Sequence, residues 1–189
     1  AQVIALISAY EFDFKKILLA MEKISSPQGR MELINASMNQ NQPSVFVDFA
    51  HTPEALKAAL LALRLHCKRK IWCVFGCGGD RDKGKRKLMG IIAKDYADYV
   101  VVTSDNPRNE SPENIISDIF LGSSDAAHRI IDRSAAINFA IKSASNQDVI
   151  LIAGKGHEDY QLIENKKINF SDKLVSQKAL ELRLKEINK

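Results

Sequence analysis

Cysteine is scarce in this sequence, which holds only Cys67, Cys73 and Cys77. The number is odd and no two form a CxxC pair, which argues against both a disulfide framework and a zinc site. Cys73 lies in an apolar run and reads as a buried, reduced thiol. Glycine and proline are also few, nine and five in 189 residues, and no repeat or low-complexity tract is present, so a fibrous or disordered chain is excluded. No stretch approaches the roughly 18 apolar residues of a membrane span. The opening segment AQVIALISAY has neither the basic flank of a signal peptide nor an initiating Met, and it reads like the inside of a helix. The expectation is a cytoplasmic, monomeric chain that is part of something longer. Charge of one sign is not concentrated: the formal net charge is +4 with no long basic block, which disfavours a nucleic-acid partner. Catalytic signatures are missing too. There is no GxSxG elbow, no Cys–His spacing, no metal-ligand cluster and no GxGxxG after a strand. No residue is assigned as catalytic and none as a metal ligand.

What is present is a core-forming composition and a regular alternation. Hydrophobic residues make up 46% of the chain, enough for one domain with an appendage. From Ser44 onward, short β-rich runs alternate with helical patterns: SVFVDF (44–49), KIWCVFG (70–76), YVVVTS (99–104), HRIID (128–132) and DVILIAG (148–154) are the strands. Between them, Thr52-Pro53 opens a helix with the stripe Leu56, Leu60 and Leu63. A second helix carries Leu88, Ile91, Ile92 and Tyr96 on one side. A third starts at Ser111-Pro112-Glu113, and a fourth bears Ile137, Ala140 and Ile141. A polar hairpin follows around 161–169, and Ser171-Asp172 caps a Leu-rich final helix. The fold class is α/β: a Rossmann-like, mostly parallel sheet with helices on both faces. Residues 1–28 stand apart as a short helical tail that ends at Ser25-Ser26-Pro27-Gln28-Gly29, which makes 29–189 the main domain.

In such sheets ligands bind at the carboxyl ends of strands. That rule selects four loops rich in charge, Gly or Pro: DFAHTPE (48–54), GCGGDRDKGKR (76–86), SDNPRNESP (104–112) and GKGHEDYQ (154–161). Gly79-x-x-x-x-Gly84-Lys85-Arg86 nearly matches a phosphate-cradling loop, yet Arg86 stands where a Ser or Thr would hold Mg²⁺. The loop therefore reads as a site for an acidic or zwitterionic group, the alternative being a solvated charged turn. In Asp105-Asn106-Pro107-Arg108, Pro stiffens the turn, Asn offers donors and an acceptor, and Arg offers a fork suited to a carboxylate; an ordinary Asx turn is the other reading. Around Gly154, two glycines allow close backbone approach, and Glu158 or Asp159 can accept from an ammonium. His157 and His51 read either as bases or as hydrogen-bond partners.

These loops, together with Gly29-Arg30-Met31-Glu32, closely resemble the Mur ligase family, in particular its branch that adds meso-diaminopimelate to UDP-N-acetylmuramoyl-L-alanyl-D-glutamate. The resemblance covers nearly the whole chain. It implies a C-terminal, amino-acid-binding domain (29–189) preceded by the end of a central ATPase domain (1–28). It also implies an ATP- and Mg²⁺-dependent ligase of peptidoglycan synthesis that passes through an acyl phosphate. With the P-loop and Mg²⁺ ligands elsewhere, this piece alone should be inactive. The diaminopimelate site of the family falls on Arg81, Asp105, Asn106, Pro107, Arg108, Gly154 and Glu158, with Arg108 the residue that separates diaminopimelate from lysine. Arg30, Asp48 and His51 fall on positions near ATP. A lysine-adding ligase of the same family and a non-catalytic nucleotide-binding module are the alternatives. Phe49 departs from the family's Tyr, and Lys87 from its Pro.

Overall fold

The computed structural model describes Lys16, Leu19 and residues 27–34, 42–123, 127–164 and 166–187. Apart from Lys16 and Leu19, both helical, the expected tail over 1–28 lies almost wholly outside the described residues. Six strands form one sheet: β1 (Glu32–Leu33), β2 (Ser44–Asp48), β3 (Ile71–Phe75), β4 (Tyr99–Val102), β5 (His128–Arg129) and β6 (Val149–Ala153). Their order is β1-β2-β6-β3-β4-β5, with β1 antiparallel and every other pairing parallel. The last strand thus enters between the first two parallel ones, and β2 never touches β3.

Side-chain alternation explains the layers. Ile71, Cys73 and Phe75 of β3 face a core that includes Leu56, Leu60, Met89, Ile115 and Ile119. These come from α1 (Pro53–His66), α2 (Gly84–Tyr96) and α3 (Pro112–Phe120). Trp72 and Val74 face the opposite core, with Ile137, Ile141 and Leu180 from α4 (Arg133–Ser143) and α5 (Asp172–Ile187). All five residues of β3 are buried, as a strand covered on both faces must be. A separate hairpin, β7 (Tyr160–Ile163) and β8 (Lys166–Asn169), precedes α5. Among the described residues no helix is long and apolar enough to cross a membrane.

The capping signals hold. Thr52 and Ser111 accept hydrogen bonds from Ala55 and Asn114 backbone N–H groups, each with Pro at the start of the helix. Two expectations need correction. The fully buried residues of α2 are Arg86, Met89, Gly90 and Ala93. Ile92 and Tyr96 of the expected stripe pack against the same core, but Leu88 is exposed because Arg86, paired with Glu110 and Asp118, and Met89 take the inward positions beside it. The strand expected over 128–132 is only His128–Arg129, because β5 is an edge strand with one short partner segment. The edge strand β1 has no sequence signal at two residues long; it is held by Asp48, as described next.

Candidate functional site

Strands β2, β6, β3 and β4 are neighbours, so the four chosen loops emerge side by side at the carboxyl end of the sheet. They enclose a cavity of about 460 Å³ lined by Arg81, Asp105, Asn106, Arg108, Gly154 and Glu158, with Phe49, His51, Cys77, Asp82 and Lys85. A larger hollow of about 730 Å³ sits at the opposite, amino end of the strands. Its Arg64 and Lys70 share the single carboxylate of Asp98 at 2.6 and 3.1 Å, and it lies away from all four loops.

The loop after β3 is fastened to the loop after β4. Gly79 donates its N–H to the Asn106 carbonyl (2.9 Å), and the Arg108 Nη1 donates to the Gly79 carbonyl (2.8 Å). A Cβ on Gly79 would lie 1.9 Å from the Pro107 oxygen, so only glycine permits this approach. Arg86 supplies the deeper tie: it is 1% exposed and reaches Glu110 (2.8 and 3.0 Å) and Asp118 (2.9 Å). Glu110 also accepts from the Asp80 N–H at 2.6 Å. The Arg86 guanidinium, helped by that N–H, holds the Glu110 carboxyl down to about 2. Arg86 is therefore a structural cation, which accounts for its presence where a phosphate loop would need a hydroxyl.

The hairpin grips the other side of the same loop. Gln161 Nε2 donates to the Asp105 carbonyl (2.7 Å), the Leu162 N–H to Asn106 Oδ1 (3.0 Å), and the Arg108 N–H to the Leu162 carbonyl (2.9 Å). Asp80 and Arg108 both sit in the left-handed region, at φ 51° and 52°. Such strain costs about 1–3 kcal/mol per residue and persists where surrounding bonds impose it, often at functional sites. Nη1 is the only guanidinium nitrogen of Arg108 bonded within the described residues, to the Gly79 and Asn106 carbonyls, which leaves Nε and Nη2 for a ligand carboxylate.

The loop after β6 turns through Gly154 (φ 121°) and Gly156 (φ 55°). Between these glycines Lys155 points inward and is fully buried. Behind the loops, Arg133 and Asp172 form a completely buried pair at 2.7 and 2.8 Å. Arg133 also donates to the Ser104 and Ala153 carbonyls, the residues immediately before Asp105 and Gly154.

Arg30, Asp48 and His51 lie on the rim beside β2. The Arg30 guanidinium stacks 4.6 Å over the Phe49 ring, and His51 meets the same ring edge-on at 4.6 Å. His51 Nδ1 donates to the Phe49 carbonyl (2.8 Å), and Lys85 Nζ donates to the His51 carbonyl (2.8 Å). Asp48 is nearly buried, and its two oxygens accept from the Met31 and Ala50 N–H groups, both at 2.8 Å. Its first task is to fold the 29–33 segment onto β2, and only its remaining lone pairs could meet a ligand. Cys77 lines the cavity, but burial pushes its thiol up to about 12, so it holds no thiolate at neutral pH.

Six of the seven residues expected to read the amino acid thus line one cavity; Pro107 is the stiffener whose carbonyl meets Gly79. Arg30 and Asp48 lie outside its lining. Sequence reasoning overlooked Lys155, Arg133 and Asp172. A lysine between two glycines just after an apolar strand was the one available signal.

Residues 29–156 match the Mur ligase glutamate ligase domain. The chain belongs to the Mur ligase family. It is similar to the solved structure of a UDP-N-acetylmuramoyl-L-alanyl-D-glutamate–2,6-diaminopimelate ligase, with 38% identity and a TM-score of 0.77. That match covers 96% of this chain but 37% of the other, so the chain spans little more than a third of that ligase. The UDP-N-acetylmuramate-alanine ligase of Thermotoga maritima matches over 97% of this chain and 36% of its own, at 20% identity and TM-score 0.63. A bifunctional folylpolyglutamate synthase/dihydrofolate synthase, solved with Mn, AMPPNP and L-glutamate, matches over 70% and 30%, at 23% identity and TM-score 0.54. These last two share the fold with this Mur ligase domain.

Proposed function

We propose that this chain is the amino-acid-binding part of an ATP-dependent ligase that joins meso-diaminopimelate to UDP-N-acetylmuramoyl-L-alanyl-D-glutamate. The observation that carries the reading is the grouping of Arg81 and Arg108 with Asp105, Glu158 and Gly154 around one cavity. Two guanidinium forks and several acceptors suit a ligand bearing carboxylates and ammonium groups at both ends. Arg108 and Arg81 pair with the carboxylates, while Glu158 and the Gly154 carbonyl accept from an ammonium. Asn106 fixes their spacing. Held in this way, the reacting amine is delivered to an activated carboxylate, and most of the rate gain comes from positioning.

Residues 29–189 form the binding domain in this reading, and 1–28 close the preceding ATPase domain. ATP, bound with Mg²⁺ chiefly by that domain, supplies the phosphoryl group that activates the D-glutamyl carboxylate. Arg30 and His51 are placed on the exposed rim to meet it, and Arg30 suits a phosphate. Among the described residues no group of three His, Cys, Asp or Glu is placed to hold a metal. The near P-loop at Gly79 has its Arg86 locked in ion pairs, which supports an ATP site elsewhere and an inactive isolated chain.

Lysine lacks the distal carboxylate, so it leaves the Arg108 fork without its charged partner. A charge-assisted bond of about 1.5–3 kcal/mol corresponds to roughly 10–100-fold in affinity. Calorimetric titration of the chain should give that preference for meso-diaminopimelate over L-lysine, and Arg108→Ala should erase it. Equal affinities in the unsubstituted chain, or a preference that survives Arg108→Ala, would refute the assignment.

A further inference from the structure

We infer that Lys155 is a positioning residue that orients Glu158 and Asn106 toward the ammonium group of the incoming amino acid. The inference rests on the amino-acid-binding reading above and assigns a residue outside its ligand set.

Burying an ammonium costs several kcal/mol unless it is paired and hydrogen-bonded. Lys155 is completely buried, and its Nζ reaches Asn106 Oδ1 (2.8 Å), Asp105 Oδ1 (3.2 Å) and Glu158 Oε2 (3.3 Å). All three partners belong to the cavity wall. The consequences are specific. Asn106 Oδ1 accepts from both Lys155 and the Leu162 N–H, so its amide group must turn Nδ2 toward Glu158, which it meets at 2.9 Å. Glu158 Oε2 is thereby occupied by two donors. Its other oxygen, Oε1, has no bond within the described residues and is left as the acceptor for a ligand ammonium.

The backbone serves the same end. Gly154 and Gly156 carry positive φ on either side of Lys155, and the Glu158 N–H donates to the Lys155 carbonyl at 3.0 Å. This tight turn sends the lysine inward and brings Glu158 back over it. A cation serving only to neutralise Asp105 would not need to select one oxygen of Glu158 and one face of the Asn106 amide.

The test uses Lys155→Met, which keeps the apolar stem, and Lys155→Gln, which keeps a neutral donor should the first not fold. Calorimetry with meso-diaminopimelate should show affinity weakened at least tenfold, and the same change made in a Glu158→Gln background should add less than twofold. In parallel, NMR should find the Asn106 side-chain amide protons slow to exchange in the unsubstituted chain, where Nδ2 is bonded to Glu158, and rapid in either variant. Affinity within twofold of the unsubstituted chain, or additive losses with Glu158→Gln, would overturn the inference. If the unsubstituted chain binds no diaminopimelate, the amino-acid reading fails, while the Asn106 exchange still decides whether Lys155 orients these groups. Unchanged exchange would overturn it.

Discussion

Asp172→Asn is a nearly isosteric change that removes one charge from the interior. Both residues of the Arg133–Asp172 pair are completely buried. Arg133 would keep its bonds to the Ser104 and Ala153 carbonyls but lose its counter-charge. Removing one partner of a buried pair costs about 3–5 kcal/mol, because the remaining ion stays out of water uncompensated. Against a total stability of about 5–15 kcal/mol this is a large fraction. For a chain of this length it corresponds to a fall of roughly 6–20 °C in Tm. Urea unfolding at pH 7 should show the midpoint move with little change in slope. The double variant Arg133→Met/Asp172→Leu, which replaces charge by apolar volume, should recover most of the loss. A loss below about 1 kcal/mol for Asp172→Asn, or a double variant less stable than the single one, would refute the reasoning that an unpaired ion is the cost.

Two further outcomes test the loop network. The depressed Glu110 carboxyl, about 2 against an ordinary 4.5, contributes stability above pH 4.5 that disappears as pH falls through 2. The stability gap between the unsubstituted chain and Glu110→Gln should therefore be full at pH 6 and closed near pH 2; a gap that does not vary with pH would contradict this. Gly79→Ala places a methyl 1.9 Å from the Pro107 oxygen, where backbone must give way. It should cost roughly 1–3 kcal/mol in urea unfolding and abolish diaminopimelate binding, since Arg108 loses its anchor at the Gly79 carbonyl.

The sheet was legible because its strands are apolar runs and its helices announce themselves with Thr52-Pro53 and Ser111-Pro112. The carboxyl-end rule then chose all four loops without coordinates. What stayed hidden are contacts between residues distant in sequence. Nothing local marks Arg133 as the partner of Asp172, or Arg86 as that of Glu110, since a charged residue in a helix ordinarily reads as solvated. The Asp48 carboxylate reads as a ligand group from sequence, and of its two backbone bonds the one to the Met31 N–H exists only once the segment leading into the two-residue β1 is folded onto β2. Lys155 was passed over because burial of a lysine becomes visible only when the carboxylates from two other loops are in place.

The position of β6 also dictates when the chain can acquire its structure. Val45 and Trp72 both align with Ile150, about a hundred and about eighty residues later, and have no sheet contact with each other. During synthesis, β3, β4 and their helices can collapse together, but β2 has only the two-residue β1 beside it until β6 emerges. Closing loops of that length before any pairing rewards them makes insertion of β6 a slow, late event. Since β6 carries Gly154, Lys155 and Glu158 at its end, the binding cavity is created in the step that completes the sheet. A ribosome-bound chain ending before residue 149 has neither, and its two unjoined apolar edges mark it as a substrate for chaperones.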